Sequence, residues 1–370
     1  MEVIFLTLFL LLVLCSSTLL FYHLYFHLRL LNYKPMIFQK HHVSVSVIVV
    51  ANNEFENLQQ LMPSLLEQEY PNFEVVLVDD RSYDGTYDHF RSLALQEPKL
   101  KFLRVDEVHD ASNAKKFALT LAIKAAKNEY VLFTDADCVV PSPKWISFMV
   151  SSFYAPKKIM LGVSPYLKQN TFLNKIIQFE TGLTASNYLS FALVGIPYMG
   201  VGRNMAYQKQ LFLDTKGFHP YNRVNGGDDD LFLQKIVNAE NTAICVEKET
   251  YVYSKPKKTW TEWVDQKIRH YSVGKFYTIK SKILLGLYHV SLFLSYILFL
   301  SLLFSQEFRL YSSIIFLVRL SVFWVLGMKL FDKVASKTEW YLFPVLEMFH
   351  GFTMVVLGLV GLKSKEVKWK

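Results

Sequence analysis

The sequence predicts an α/β protein in which a doubly wound, mostly parallel sheet lies between N- and C-terminal transmembrane helices. Apolar residues make up 52% of the chain and are concentrated at its two ends. Between residues 43 and 134, strand patterns and helix patterns alternate, and this alternation favours a parallel sheet with helices on both faces. Acidic clusters follow two of the predicted strands, where the ligand site of such a sheet is expected.

An uncharged apolar run near the start of the chain covers residues 3–22. Its length suits a helix that crosses the hydrocarbon core, and it lacks the basic start and the cleavage site of a signal peptide. We therefore expect residues 1–28 to form a membrane anchor. Because basic residues follow this run, the positive-inside bias predicts that the next domain is cytoplasmic. These residues are Arg29, Lys34 and Lys40.

The middle of the chain, residues 43–280, is expected to fold as one globular domain. Runs of β-branched residues predict its strands, and apolar residues spaced three or four apart predict its helices. The predicted strands cover residues 43–50, 73–78, 101–105 and 130–134. The predicted helices cover residues 57–68, 86–95 and 113–126. The sequence contains neither a GxGxxG fingerprint nor a P-loop, which argues against those two modes of phosphate binding.

The C-terminal part of the chain predicts a multi-pass membrane region over residues 283–362. Two apolar runs, 283–304 and 310–328, form a predicted helical hairpin. A third run, 340–362, contains Glu347 and His350, which are costly at membrane depth, so this segment either spans or is re-entrant. Residues 363–370 form a basic tail. Residues 181–201 lack charge but carry polar and turn residues, which favours a buried or membrane-surface helix.

Charge and cysteine content limit the class of protein. A net charge of +8 suits a protein that handles phosphates or rests on anionic lipid. Three cysteines lie far apart, which argues against a disulfide framework and a zinc site and fits a reducing compartment. Lys115 and Lys116 have the charge to meet phosphates, although lysines on a helical face are more often solvated.

Two acidic pairs follow predicted strands. Asp135 and Asp137 lie on a tight turn, where two carboxylates suit Mg²⁺ or Mn²⁺ and leave positions for diphosphate oxygens. The alternative is a solvated pair in a turn. Asp79 and Asp80 have the chemistry to accept hydrogen bonds from a nucleotide base and its ribose. Their alternative is an ordinary end of a strand, where Asp is common.

Two further clusters carry chemistry. Asp228, Asp229 and Asp230 follow a glycine pair; adjacent carboxylates raise at least one pKa, which suits a general base, whereas a helix N-cap needs only one Asp. On a predicted helix, Gln266, Arg269 and His270 share a face. Arg269 has the charge to neutralise a departing diphosphate, and the neighbouring Tyr271 has a ring that can pack on an acceptor. The alternative is the aromatic and basic belt of a membrane interface.

Over residues 43–275 these motifs resemble the family 2 glycosyltransferases, inverting enzymes with a glycosyltransferase A-type fold. Residues 47–54 are similar to the family's strand followed by NE, and residues 78–86 match its VDDxSxDGT element. Asp135 and Asp137 match its metal-binding DxD. Asp228 is similar to the aspartate of its ED motif, with Gly227 where glutamate is usual, and Gln266 to His270 resemble QxxRW with His in place of Trp.

The resemblance implies a membrane-anchored, metal-dependent enzyme that moves a sugar from a UDP- or GDP-sugar to a lipid-linked or glycan acceptor with inversion. It implies a cytoplasmic catalytic domain at the inner cell membrane, in contact with lipids and not with nucleic acid. Sugar-nucleotide contacts are expected from Asn53, Glu54, Asp79, Asp80, Lys115 and Asp135. Catalytic roles are expected for Asp228, Asp229, Gln266 and Arg269. Acceptor or diphosphate contacts are expected from Asp230, His270 and Tyr271.

Two departures from the family pattern leave alternatives open. Gly227 leaves the general base undecided between Asp228 and Asp229. His270 favours a single-addition enzyme over a processive polysaccharide synthase, which remains the first alternative. A nucleotidyl or phosphoryl transferase lacks motif support. A non-catalytic membrane scaffold that binds a nucleotide is the second alternative, and the intact acidic motifs argue against it.

Overall fold

The computed structural model describes residues 2–34, 43–107 and 113–364, and these divide into two compact units. The sheet unit takes its described residues from between 34 and 167 and between 191 and 256. The helical unit takes its residues from 2–33, 168–190 and 257–364.

The described residues form nine strands. They are β1 (Val45–Ala51), β2 (Phe73–Asp80), β3 (Leu100–Val105), β4 (Tyr130–Phe133), β5 (Cys138–Val139), β6 (Ile159–Leu161), β7 (Met205–Gln208), β8 (Thr242–Ile244) and β9 (Tyr253–Ser254).

The described residues also form thirteen α-helices. They are α1 (Glu2–Phe21), α2 (Leu28–Asn32), α3 (Phe55–Leu66), α4 (Thr86–Gln96), α5 (Ala114–Ala125), α6 (Trp145–Met149), α7 (Phe172–Leu193), α8 (Lys209–Asp214), α9 (Asp230–Ile236), α10 (Trp260–Val273), α11 (Ile279–Leu302), α12 (Arg309–Lys333) and α13 (Phe343–Lys363). A π-helix, Tyr22–His27, joins α1 to α2, and short 3₁₀ turns cover His219–Tyr221, Lys248–Thr250, Gly274–Phe276 and Trp340–Leu342.

The sheet unit is built on a seven-stranded mixed sheet with the order β3-β2-β1-β4-β7-β6-β8. The pairs β2–β3, β1–β2, β1–β4 and β6–β8 are parallel, whereas β7 runs antiparallel to β4 and to β6. The predicted fold class, an α/β protein with a mostly parallel sheet, is therefore confirmed. The antiparallel strand β7 was not predicted. Strands β5 and β9 form a separate two-stranded sheet.

Strand β2 is buried at every residue and β1 at every residue except Val50, which explains their continuous apolar runs. Every second side chain of β1 packs into a core cluster with α3. Helix α3 contributes Leu58, Leu61 and Leu65 to this cluster. These leucines recur at helical spacing, so α3 presents one apolar stripe to the sheet. Helix α5 packs on β1 and β2. Parallel pairing of β1 with β2 and with β4 aligns the carboxyl ends of these three strands at one edge of the sheet.

The helical unit contains four helices that are long and apolar enough to cross a membrane, counted over the described residues. They run over Glu2–Asn32, Ile279–Leu302, Arg309–Lys333 and Trp340–Lys363. Length and composition of this kind indicate membrane association. The uncharged stretch 181–201 is not among them: α7 ends at Leu193, before Gly195 adopts a φ of 79° and Pro197 follows.

Candidate active site

The loops that follow β1 and β2 hold each other at the carboxyl edge of the sheet. Asn53 adopts a left-handed φ of 54°, which Asn tolerates better than most residues. Its backbone N–H donates to Ser82 Oγ at 2.8 Å, and its Oδ1 accepts the Tyr83 N–H at 3.0 Å. The Asn52 side chain donates to the Asp80 carbonyl at 2.5 Å. The NE-type opening and the VDDxSxDGT-type element are therefore one hydrogen-bonded structure.

Asp79 and Asp80 lie inside β2, where they pair with Arg104 and Val105 of β3. The predicted end of this strand at residue 78 is therefore wrong, because pairing with β3 extends the strand through both aspartates, and Asp79 also pairs with Ala51 of β1. Asp80 Oδ1 accepts a hydrogen bond from Arg81 Nε at 2.8 Å. Asp79 is fully buried, and its Oδ1 accepts the backbone N–H of Ser82 at 3.2 Å.

The second carboxylate oxygen of Asp79, Oδ2, has no hydrogen-bond partner within the described part of the chain. The nearest cationic group is Arg104 Nε, at 4.0 Å. A buried carboxylate oxygen without a donor is costly. This atom is therefore suited to accept a hydrogen bond from a ligand, as expected for a base-binding aspartate.

Lys115 connects the DxD motif to the second acidic cluster. Its Nζ lies 3.3 Å from Asp135 Oδ1 and 3.1 Å from Asp228 Oδ2. These residues come from α5, from the turn after β4 and from the loop before α9. Burial disfavours the ammonium, but the charges of Asp135, Asp228 and Asp229 raise the pKa of Lys115 above its ordinary value. The lysine predicted to meet phosphates thus bridges two carboxylates.

Asp228 and Asp229 differ in what their oxygens contact. Burial opposes ionisation of Asp228, but the Lys115 charge holds the pKa of Asp228 below its ordinary value. Asp229 Oδ1 accepts the Asp230 N–H at 2.8 Å, and Asp229 Oδ2 accepts the Gly202 N–H at 2.9 Å. Burial, with the neighbouring Asp228 charge, raises the pKa of Asp229. Asp229 is the N-cap of α9, so the capping alternative applies to this aspartate.

The glycine pair before the acidic cluster sets its backbone path. Gly226 and Gly227 have φ values of 88° and 75°, a region that strongly favours glycine. Asp230, the first residue of α9, accepts the Leu231 N–H at 2.8 Å through its own Oδ1. Glutamate at the position of Gly227, as in the family motif, would be strained in this conformation.

Asp135 and Asp137 follow β4 and are partly exposed. Burial raises the pKa of Glu54, opposed by a hydrogen bond from Asn57, and the charges of Asp137 and Asp135 raise it further. The charges of Asp135 and Asp137 therefore act on Glu54. No group of three or more His, Cys, Asp or Glu residues in the described ranges has metal-binding geometry. Two carboxylates of this kind still fit Mg²⁺ or Mn²⁺, hard cations that take oxygen ligands and keep positions for water and phosphate.

The structure brings further side chains to this edge that the motifs did not identify. A pocket beside Lys115, Asp135 and Asp228 is also lined by Thr134 and Tyr207. The hydroxyl groups of Thr134 and Tyr207 are buried without a hydrogen-bond partner in the described ranges. Neither residue belongs to a sequence motif. Tyr207 reaches the pocket through the antiparallel pairing of β7 with β4, which no local sequence pattern predicts.

Arg203 is a basic group that the sequence did not single out. Its Nε donates to Ser164 Oγ at 2.6 Å, its Nη2 donates to the Ser164 carbonyl at 3.0 Å, and its guanidinium lies 4.8 Å from the Tyr166 ring centre. Burial opposes its charge, but acidic neighbours that include Asp135 and Asp137 raise the pKa of Arg203. A buried cation therefore interacts electrostatically with the DxD carboxylates.

The remaining predicted site residues belong to the helical unit. Gln266, Arg269, His270 and Tyr271 all lie on α10, which begins with a capping box between Thr259 and Glu262. Glu180 of α7 accepts a hydrogen bond from the Tyr271 hydroxyl at 3.0 Å and pairs with Lys267 Nζ at 2.8 Å. Tyr271 is thus engaged with Glu180 within its own unit. The acidic cluster and the α10 residues fall in different units.

The fold is similar to that of the glycosyltransferases with an A-type fold. The mannosyltransferase PcManGT from Pyrobaculum calidifontis, a solved structure, superposes with a TM-score of 0.58 over 96% of this chain and 100% of its own. The two chains are 18% identical, so this likeness supports the fold alone.

Residues 46–223 match the family model Glycosyl transferase family 2. The match ends before Asp228. The putative teichuronic acid biosynthesis glycosyltransferase TuaG of Bacillus subtilis is 27% identical over 188 residues, 49% of this chain and 67% of the relative. Glycosyltransferase AglE of Haloferax volcanii is 28% identical over 191 residues, 50% of this chain and 58% of the relative. The chain thus spans between 58% and 67% of these two relatives.

Proposed function

We propose that this protein is an inverting, metal-dependent glycosyltransferase that moves a sugar from a UDP- or GDP-sugar to a hydroxyl group of a membrane-associated acceptor. One observation carries the proposal: Lys115 joins Asp135 of the DxD motif to Asp228 of the second acidic cluster. A donor-binding group and a candidate general base therefore lie within one lysine's reach, at the carboxyl edge of the sheet.

The nucleotide is proposed to bind at the ends of β1 and β2. Asp79 Oδ2, buried without a donor in the described part of the chain, would accept a hydrogen bond from a base N–H. Asn53, Glu54 and Asp80 would contact the base or ribose. Both bases remain open: PcManGT was solved with GDP-Man and Mn²⁺, and a relative from Escherichia coli is named as a UDP-Glc-dependent transferase.

The diphosphate is proposed to bind beside Asp135 and Asp137, which would hold Mg²⁺ or Mn²⁺. A bound divalent cation would supply charge stabilisation for the departing diphosphate. Lys115 and Arg203 would add fixed positive charge on the protein side. The unpartnered hydroxyl groups of Thr134 and Tyr207 would donate to oxygens of the donor.

Asp228 is the proposed general base. Inverting transfer is a single displacement, so one carboxylate must accept the proton of the acceptor hydroxyl as the sugar–oxygen bond forms and the bond to the diphosphate breaks. Both oxygens of Asp229 accept backbone N–H groups, which leaves Asp229 a capping role. Lys115 keeps Asp228 ionised, and an ionised carboxylate is the form that accepts a proton.

The acceptor is proposed to be lipid-linked or a glycan. For Gln266, Arg269, His270, Tyr271 and Asp230, the proposal keeps the acceptor and diphosphate roles that the motif resemblance implies. The Escherichia coli relative, 26% identical over 132 residues, 35% of this chain and 48% of the relative, acts by its name on a diphosphoundecaprenol-linked sugar. A lipid-linked acceptor would approach by diffusion in the bilayer, which fits a chain with four long apolar helices.

A processive polysaccharide synthase is the second candidate. A poly-β-1,6-N-acetyl-D-glucosamine synthase of Staphylococcus epidermidis is 28% identical over 138 residues, 37% of this chain and 32% of the relative. His270 in place of the family's tryptophan favours single addition, because a growing glycan would lose its stacking partner. Product length, measured by mass spectrometry, separates these two functions.

The orientation is proposed to be multi-pass in the inner cell membrane, with residues 43–280 on the cytoplasmic side. It rests on the basic residues that follow the first apolar run. A cysteine placed in the loop near Ser82, at the exposed Tyr83, should react with an impermeant maleimide only in inverted vesicles. Reaction in intact cells would overturn the orientation.

The decisive experiment measures release of nucleoside diphosphate by the purified full chain from a panel of sugar nucleotides, with and without EDTA. Asp137→Ala should abolish transfer but leave the protein folded, and activity retained in EDTA would contradict metal dependence. Asp228→Asn should keep donor binding, measured by calorimetry, and lose most turnover, whereas Asp229→Asn should mainly lower stability. Near-normal turnover in Asp228→Asn would refute the assignment of Asp228 as the general base. A retained anomeric configuration in the product, measured by NMR, would refute an inverting mechanism.

A further inference from the structure

Each of the four candidate membrane spans contributes one buried polar side chain to a single cluster in the helical unit. We call it the polar cluster, and its members are His23, Tyr288, Arg319 and Glu347. Their exposed fractions are 0%, 1%, 0% and 0%. Ionisable side chains inside apolar helices are costly, and as a rule they mark sites with a specific partner.

Direct bonds use only part of the hydrogen-bonding capacity of the polar cluster. Arg319 Nη1 lies 2.5 Å from Glu347 Oε2, and Arg319 Nη2 donates to Ser295 Oγ at 2.7 Å. The Tyr296 hydroxyl also donates to Glu347 Oε2, at 2.7 Å. His23 Nδ1 lies 3.1 Å from His27 Nδ1, with which it shares a hydrogen bond.

One polar atom of each member is left over. They are His23 Nε2, the Tyr288 hydroxyl, Arg319 Nε and Glu347 Oε1, all buried and without a hydrogen-bond partner among the residues that the structure describes. These atoms are chemically complementary, because Arg319 donates, Glu347 accepts, and the hydroxyl and the imidazole can do either.

The four members are also close to one another. The His23 and Tyr288 rings lie 6.1 Å apart. Tyr288 interacts electrostatically with both Arg319 and Glu347, and His23 does so with Arg319. Complementary atoms on interacting side chains that do not bond one another directly need a bridging group. An unpaired polar group costs several kcal/mol in a medium without water, whereas buried polar groups in proteins are hydrogen-bonded almost without exception.

The charge balance of the polar cluster favours a neutral bound molecule, called the guest below. Arg319 and Glu347 cancel, so neither a cation nor an anion gains a net counter-charge there. The guest must donate and accept hydrogen bonds among several partners, which ordered water does with two to four bonds of its own. We propose that the polar cluster is a binding site for ordered water, which joins the four candidate spans by hydrogen bonds.

The first test is the sign of a stability change. Tyr288→Phe removes only a hydroxyl. If water bonds that hydroxyl, the variant loses a hydrogen bond, and its midpoint of thermal unfolding in a fixed detergent falls. The matched control is Tyr22→Phe, which removes a direct bond to the Leu284 carbonyl at 2.7 Å and must also lower the midpoint. If no water is bound, Tyr288→Phe removes an unpaired buried group and the midpoint stays or rises, which overturns the proposal.

The second test detects the water itself. X-ray radiolysis of the full chain generates hydroxyl radicals from bound as well as bulk water, so a buried side chain beside ordered water acquires oxygen. We expect oxygen incorporation at Tyr288 in the intact protein. Phe331, 2% exposed and packed on Phe179 and Phe343 in the same unit, should remain unmodified. Modification at neither residue, or equal modification at both, overturns the proposal.

Discussion

Replacing Arg319 by methionine should be among the most damaging single changes in the helical unit. Arg319 and Glu347 are both 0% exposed, and their ion pair measures 2.5 Å. Removal of one partner leaves a buried carboxylate without its counter-charge, which typically costs about 3–5 kcal/mol in the free energy of unfolding. Ser295 and Glu347 would each lose an Arg319 hydrogen bond in the same step.

The double variant Arg319→Met/Glu347→Met provides the matched comparison, because it removes both charges. Its remaining loss comes from the Tyr296 hydroxyl, which would lose its 2.7 Å bond to Glu347 and keep only the longer 3.4 Å bond to the Pro344 carbonyl, at a cost of about 1–3 kcal/mol. We therefore expect the double variant to be about 2 kcal/mol more stable than Arg319→Met alone. Arg309→Met, at an exposed position on the same helix, should stay within about 0.5 kcal/mol of the unmodified chain.

The assay is unfolding of the full chain in mixed micelles, followed by circular dichroism as the fraction of sodium dodecyl sulfate rises. Arg319→Met should unfold at a clearly lower fraction, and the double variant should recover part of the difference. A single variant that unfolds with the unmodified chain would refute the reasoning. So would a double variant that is less stable than Arg319→Met, since the uncompensated charge would then not be the cause.

Two further predictions concern buried charges elsewhere. Burial lowers the pKa of Lys116 from 10.5 to about 8, so the folded chain releases this proton first. The stability of the unmodified chain relative to Lys116→Met should therefore rise between pH 8 and 10.5; a flat difference in unfolding midpoint would contradict this. Glu180→Gln should leave Lys267 without its ion partner and loosen α10, which carries Arg269. If the proposed transfer is correct, kcat falls by up to about 10²-fold with donor affinity unchanged, whereas a loss of donor affinity alone would argue against positioning.

The sequence predicted the parallel half of the sheet well, because its strands are long, apolar and buried on both faces. Strand β7 was missed for a physical reason. Its four residues, Met205–Gln208, contain no β-branched side chain, and antiparallel pairing with β4 and β6 makes them a strand. The extension of β2 through Asp79 and Asp80 was missed similarly, since strand propensity alone disfavours Asp.

The sequence predicted individual residues of the candidate site better than it predicted the contacts between them. An acidic pair after a strand and an acidic run after a glycine pair are visible as local motifs, so Asp135 and Asp228 could be selected from the sequence. Their bridge through Lys115 joins three distant segments, and no local pattern reports it. Glu347 illustrates the same limit: in the sequence it is a charge that disfavours spanning, and in the structure Arg319 neutralises it.

The π-helical turn Tyr22–His27 has a consequence for how this chain tolerates changes of length. A π-turn contains one more residue than the α-helical turn it replaces, and here it contains the bonded pair His23 and His27. Deletion of a single residue in this turn would restore uniform α-helical geometry and leave the side chains on either side in nearly their present orientation, because the π-turn holds its extra residue within about the same rotation. Loops usually absorb such a deletion. In this apolar helix the π-turn itself would absorb it, at the expense of the present contact between His23 and His27.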